Sequence, residues 1–460
     1  MDTYTEKIEK RYNRIIVFFY CLAIASLPVS IALVESMAAF VIFLFFLKKV
    51  LLCRYESQGK RMPDILRIIL ASSYPKGHFL NKWIGLHVMS IFISVVFSQY
   101  PMISLIAFVG KFLEGYLLYF SFVDCVRTKS ALRNCVGVFV VTACVMAIDG
   151  LFQYSLKWDL IRHLPLIEHR VSTTFRHAND FGAYLVTFIP MVFGLVVLPK
   201  RRSSSIREEW RLSRMEFGLP LKIILFVNLI FMLISLGLTF SRGSWMGFWI
   251  SMLVFVVILR KYFVTVILIS LVFVAAFLPL MMKYRDVSFT TDSVNLVRDY
   301  SKIDSHSEEF RKLSAVEQDR VRTSQTFQLG MGRTFFWEEA WEVIRKYPFF
   351  GSGLNTYSKL VNVYAHNCYL QMAGETGIIG LVFFLLLMGV LIGKSAQYCI
   401  KMPVNFYKVV LAGAIAGFVG FLSQSFFDTT LYSVQLGNLM WVMMGLMGAI
   451  PSVYAQSKAE

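Results

Sequence analysis

An all-α polytopic membrane protein, with about twelve transmembrane helices and one large outer loop, is the fold class this sequence predicts. Three observations carry that expectation. Of 460 residues, 57% are hydrophobic and 42 are Phe, and mean hydropathy is +0.60. That is more apolar surface than a soluble domain can bury, whereas lipid solvates it. The apolar runs have helical length rather than short alternation, and inside hydrocarbon only helices or closed barrels satisfy the backbone. A single long hydrated interval, Lys283 to Asn362, interrupts them.

The spans are expected near 14–31, 34–52, 83–99, 101–121, 134–153, 179–198, 222–240, 244–259, 262–282, 375–393, 409–427 and 432–450. Several are shorter than the ~20 residues that cross about 30 Å of hydrocarbon, so their boundaries are soft by a few residues. The first apolar stretch runs into the second without a small-residue cleavage site, so no cleavable signal peptide is expected. The organisation is therefore 1–282 with nine spans, 283–362 as the outer loop, and 363–460 with the return to the membrane and the last three spans.

Charge orients the chain. With the N-terminus in the cytoplasm, the inner segments hold 28 Lys and Arg and the outer segments 17, and the short loops show the bias most strongly. Both termini are then cytoplasmic. The net charge of +17 reads as topology, not nucleic-acid binding, because the 12 basic residues of the hydrated interval are nearly matched by acidic ones and no nucleic-acid module appears. None of the seven cysteines falls within 283–362 and there is no CxxC, which excludes a disulfide scaffold there and a CxxC metal site.

Two outer segments hold distinctive residues. The shorter, about 154–178, leads into Thr174-Phe-Arg176-His177-Ala-Asn179-Asp180. The longer has a mixed-charge front half, then Phe335, Phe336, Trp337, Ala340, Trp341, Val343 and Ile344 at helical spacing. That pattern predicts an amphipathic helix near 334–347, lying on the membrane surface or capping the bundle. A turn with Gly351 and Gly353 follows, then Ala365-His366-Asn367. A third polar element, Ser241-Arg242-Gly243, separates spans seven and eight. Taken singly, Arg242 can snorkel to headgroups, Arg176 can be an ordinary loop residue and His366 a structural one. Together they map to one outer face. Guanidinium forks bind phosphate oxygens, and imidazole accepts a proton near neutral pH. Lys111 and Glu114, spaced i,i+3 in span four, are expected to pair within the bundle.

Four stretches resemble the O-antigen ligase and polymerase superfamily of bacterial envelope glycan enzymes. They are Thr174 to Gly182, Phe240 to Gly247, Gly351 to Tyr357, and Ala365-His366-Asn367 continuing through Tyr369, Gln371, Glu375 and Gly377 to Gly380. The resemblance implies a GT-C-like fold in the bacterial inner membrane and a metal-independent, inverting glycosyltransferase with no cofactor. Its donor would be a glycan on undecaprenyl diphosphate at the periplasmic face. Its acceptor would be lipid A–core oligosaccharide, as in lipopolysaccharide biosynthesis, or a second lipid-linked glycan. Arg176 and Arg242 would hold the diphosphate, with Arg333 and Arg345 as further candidates, and His366 would activate the acceptor hydroxyl. Asn179, Ser241, Asn355, Asn367, Tyr369, Gln371 and Glu375 would orient His366 or bind sugar.

Elementary chemistry agrees with this division: diphosphate departure builds negative charge that arginine stabilises, and the acceptor hydroxyl needs a base. No Asp-x-Asp motif or hydrolase carboxylate pair is apparent, and Asp304, Glu308 and Glu309 read as solvated charge. A ligase is favoured over a repeat-unit polymerase, because the single long outer loop ending in His-Asn resembles ligases. A solute transporter is the remaining alternative, since some inorganic-carbon transporters resemble this superfamily, but no inverted repeat is visible.

Overall fold

In a computed structural model, residues 3–56, 78–198, 218–260, 262–287, 333–361 and 364–459 are described. Helices dominate them, and the only β-pairing among them is two isolated bridges, Trp158 with Pro165 and Ile167 with Arg170. Among the described residues twelve rods stand at or near the expected spans, the first displaced toward the N-terminus. They are α1 (Thr3–Ser26), α2 (Ile31–Glu56), α3 (Asn81–Val96), α4 (Pro101–Cys125), α5 (Lys129–Leu156) and α6 (Ala178–Val197), then α7 (Leu219–Leu238), α8 (Arg242–Leu259) and α9 (Phe263–Val287). After the short helices α10 (Arg333–Lys346) and α11 (Tyr357–Val361) come α12 (Cys368–Lys401), α13 (Phe406–Gln424) and α14 (Val434–Ala459).

Ten of these are long and apolar enough to cross a membrane. The other two are α1, whose first half carries Glu6, Lys7, Glu9, Lys10, Arg11 and Arg14, and α3, which has only 16 residues. The front half of the hydrated interval, including Asp304, Glu308 and Glu309, lies outside the described residues, as does the side chain of Arg333.

Two departures from expectation have local causes. The helix at the tenth span begins at Cys368 and is broken at Gly377, whose φ of 70° and ψ of 174° leave the helical region. The break frees the carbonyls of Gly374 and Glu375, which accept the N–H groups of Ser352 and Gly353 at 2.9 Å each. Ile378 N–H donates to Pro348 O at 2.8 Å. The Gly351-Ser-Gly353 turn thus plugs the gap, as backbone polar groups at membrane depth require. Gly351 has φ +74°, and a Cβ there would fall 2.3 Å from the Glu375 carbonyl carbon, so a side chain would block the plug.

The second departure is in α4. Phe108–Leu113 is a π turn, whose wider pitch rotates residues three apart away from one another. Lys111 and Glu114 therefore form no ion pair; Lys111 Nζ reaches Asn355 Oδ1 at 3.4 Å instead.

At the centre, α6, α8 and α13 pack through small residues. A Cβ on Gly182 would lie 2.2 Å from Ser244 Oγ, one on Gly247 2.7 Å from Gly420 O, and one on Gly417 1.9 Å from Thr187 O. Close approach of this kind drives helix association where lipid offers no hydrophobic advantage. It also draws the outer ends of the three helices together.

The amphipathic helix α10 caps the bundle. Its Ala340 and Val343 are buried against Tyr357, Ala365 and Leu370, while Trp341 stays exposed. At the other end of the bundle, Asp124 binds Lys48, Lys49 at 3.0 Å and Arg127 at 2.8 Å, and Arg127 also binds Glu9 at 2.8 Å. This network ties together the ends of α1, α2 and α4.

Candidate active site

Four turns converge where the starts of α6, α8 and α12 meet the end of α13. The first is the segment before α6. Gln153, buried in the last turns of α5, accepts the N–H groups of Ser172 and Thr173 through Oε1 at 2.9 and 2.7 Å. Val171 N–H donates to Leu238 O at 3.0 Å. This anchoring sets Arg176 and His177 at the start of α6 with their side chains exposed.

The second turn joins α7 to α8. Phe240 reverses the chain with φ 46°. Ser241 then caps α8, accepting from the Ser244 N–H at 3.4 Å and its hydroxyl at 2.8 Å. Ser241 is thus occupied as a cap. Arg242 is the first residue of α8 and is exposed. Next to it, a Cβ on Gly243 would lie 3.1 Å from Phe427 Cβ, which puts Arg242 beside the turn after α13.

The third turn carries His366-Asn367. Asn367 caps α12, accepting the N–H groups of Tyr369 and Leu370 at 3.0 and 3.1 Å. His366 is left-handed, with φ 46°. A non-glycine residue held there costs roughly 1–3 kcal/mol, so the surroundings must fix it. They do so through Asp428 in the fourth turn, whose Oδ1 lies 3.3 Å from His366 Nδ1, and through Phe336 of α10, whose ring meets the imidazole edge-on at 5.0 Å.

The fourth turn, 424–430, is clasped to the start of α12. Cys368 N–H donates to Ser425 O at 2.9 Å and its thiol to Asp428 O at 3.1 Å. Tyr369 OH donates to Leu422 O at 2.7 Å. Asp428 is the hub: besides His366 it accepts from the Asn179 side-chain amide and from Thr429 N–H at 2.8 Å. Arg170 braces the same group, donating to Asn179 Oδ1 at 2.7 Å and Thr239 O at 3.0 Å.

Burial alone would raise the Asp428 carboxyl, but hydrogen bonds from His366, Thr429 and Asn179 outweigh it and hold the group below the ordinary carboxylate range. The neighbouring His177 is pushed down, by burial first and then by the positive charge of Arg176, with His366 and Arg170 adding to it against Asp428. The site therefore sets Arg170, Arg176, His177 and His366 around the carboxyl groups of Asp428 and Asp180.

The turns bring Arg176, Asn179, Ser241, Arg242, His366, Asn367 and Tyr369 to one place, though Ser241, Asn367 and Tyr369 spend their polar atoms on helix ends and turns. Arg176 and Arg242 have no hydrogen-bond or ion-pair partner among the described residues. Arg345 points elsewhere: it pairs with Glu342 at 3.0 Å and lies over Trp341 on the exposed face of α10.

Gln371, Glu375 and Asn355 form a second polar group. Glu375 Oε2 accepts the Asn355 N–H at 2.9 Å, and the Gln371 amide lies 3.5 Å from Glu375 Oε1. Gln371 also accepts the Ala365 N–H at 3.3 Å, so it supports the backbone beside His366.

Two residues escape the sequence reading, Asp428 and Arg170. The signal for Asp428 is a single carboxylate in the short outer turn between the last two spans. Arg170 leaves no comparable signal, being one of four basic residues in its loop.

Chemically, the site offers a histidine and unengaged guanidinium groups. With Nδ1–H donated to Asp428, Nε2 of His366 is left with a lone pair able to take a proton. These groups sit on an all-α polytopic membrane protein. Residues 227–385 match the family described as O-Antigen ligase. That stretch, roughly a third of the chain, runs from α7 into α12 and includes Arg242 and His366, while Arg176, Asn179 and Asp428 fall outside it. It supports the O-antigen ligase and polymerase superfamily, and with it a glycosyltransferase-type membrane enzyme acting on lipid-linked glycans. No curated protein matches the chain.

Proposed function

We propose that this protein transfers a glycan from undecaprenyl diphosphate to a saccharide acceptor at the periplasmic face of the inner membrane, as an O-antigen ligase acting on lipid A–core. The observation that carries this reading is the pairing of His366 with Asp428 beside two arginines that have no partner among the described residues.

In the proposed step His366 Nε2 takes the proton of the acceptor hydroxyl as its oxygen bonds to the anomeric carbon. The bond from that carbon to the diphosphate oxygen breaks on the opposite face, and its electron pair leaves with the diphosphate. One such displacement inverts the anomeric configuration. Asp428 stabilises the imidazolium that forms, and Arg176 and Arg242 stabilise the departing charge, the role metal ions play in other transferases. Asn179, held by Arg170, keeps Asp428 turned toward His366. The helix α10 roofs the pocket and shields it from water through Phe336.

Deletion of the gene followed by electrophoresis of the surface glycans tests the reading. Loss of all core-attached chains, with carrier-linked polymer retained, is the expected result. Single repeat units on the core would identify a polymerase instead, and unchanged glycans would refute glycan transfer altogether.

A further inference from the structure

A second cavity of about 100 Å³, partly open to solvent, lies on the other flank of α12, between α2, α4, α12 and α14. The turn carrying Asp428 separates it from His366, since Leu431, Tyr432 and Ser433 of the same connection line its wall. Its charged groups are Glu35, Glu114, Glu375 and Lys111. That balance is the reverse of the arginine-bearing pocket. Phe112, Tyr432 and Trp441 supply aromatic surface, and Asn355 and Asn438 supply amides.

The cavity also holds polar atoms with no hydrogen-bond partner among the described residues. His87 lines it at 1% exposure with neither ring nitrogen hydrogen-bonded, and Glu114 Oε1 is likewise buried without a partner. Buried polar atoms left unpaired cost about 1–3 kcal/mol each, so a hydrogen-bonding occupant is expected.

We propose that this cavity holds uncharged, hydroxyl-bearing sugar of the acceptor and excludes a second diphosphate. Carboxyl groups and amides accept and donate to vicinal hydroxyls while aromatic faces cover sugar C–H groups, and three acidic side chains against one lysine leave no basic pair to hold a diphosphate. The inference rests on the glycan-transfer reading and deepens it, because a polymerase acceptor carries its own diphosphate and needs a basic site where this one is acidic.

The test uses the full-length protein in nanodiscs with Asn438→Cys, and separately Gly110→Cys, where an added Cβ meets nothing within 4 Å. Each is labelled in mildly alkaline buffer by a cationic and an anionic thiosulfonate. Rates are corrected for labelling of the parent protein and divided by each reagent's rate with a free thiol. The cationic reagent should react several-fold faster, and Glu35→Gln with Glu114→Gln should bring the ratio toward unity. Oligosaccharide released by mild acid from the host's envelope should slow labelling, whereas inorganic diphosphate should not. Preference for the anionic reagent, protection by diphosphate, or no protection by the oligosaccharide would overturn the proposal. Absence of transfer from the same preparation, with the labelling pattern intact, would instead count against the glycan-transfer reading.

Discussion

The two ends of the helical bundle treat their positive charge in opposite ways. At the end bearing Asp124, Lys48, Lys49 and Arg127 all bind carboxylates, and Lys48 is fully buried. At the other end Arg176 and Arg242 stand exposed, and unpaired among the described residues, around a carboxylate already engaged by His366 and Asn179. Paired buried charge fixes helices to one another, and its loss destabilises the fold. Unpaired guanidinium groups beside strained turns contribute nothing of that kind. The left-handed Phe240 and His366 both lie in those turns, and such outliers concentrate at functional sites. The contrast supports reading the first cluster as structural and the second as the proposed ligand site, without reference to any relative.

Substitutions at each end should break the two clusters differently. The largest effect on transfer is expected for His366→Ala and Arg242→Ala, each lowering the rate roughly 10²–10³-fold or more while leaving protein abundance and thermal midpoint near wild type, since removing one preorganised charge-stabilising group is worth about that much. Transfer by purified protein and abundance by immunoblot check this. Asp428→Asn should fall short of that, at roughly 10–10²-fold, because the amide keeps the shape but not the charge that stabilises imidazolium.

At the opposite end, Asp124→Ala should leave Lys48 buried and unpaired and cost about 3 kcal/mol of stability. It should appear as a lowered thermal midpoint, with the specific activity of the folded fraction preserved. The smallest effect belongs to Arg345→Ala, where an exposed pair with Glu342 is lost and transfer should stay within about twofold.

Asp428 also sets a pH expectation. Its folded pKa is depressed, so its contribution to stability is fully present above the ordinary carboxylate range and is lost only as pH falls through the lowered value. The carboxylate beside His366 should therefore persist in mildly acidic buffer, and Asp428→Asn should remove the acid-limb loss of stability that this group produces.

Much of this arrangement is legible in the sequence because membrane physics leaves few choices. Apolar runs of helical length locate all twelve rods, and Ala340 and Val343 at helical spacing anticipate the buried face of α10. The Ser-Arg-Gly and His-Asn patterns mark two of the four turns, with Ser241 and Asn367 readable as caps. What is not legible depends on the third dimension. Nothing local shows that the α12 helix starts seven residues early and breaks at Gly377, because the break is sustained by hydrogen bonds from a turn twenty-odd residues away. The π turn that parts Lys111 from Glu114 is equally silent. Asp428 is a lone carboxylate in the turn 424–430 until glycine-mediated packing of α6, α8 and α13 brings His366 and Asn179 to it.

Transfer by purified Arg242→Ala and His366→Ala proteins, supplied with an undecaprenyl-diphosphate-linked glycan and lipid A–core, tests the proposed site most directly. Folded protein that no longer joins the two is the predicted result for both. Transfer at wild-type rate by either variant would contradict the assignment of this site.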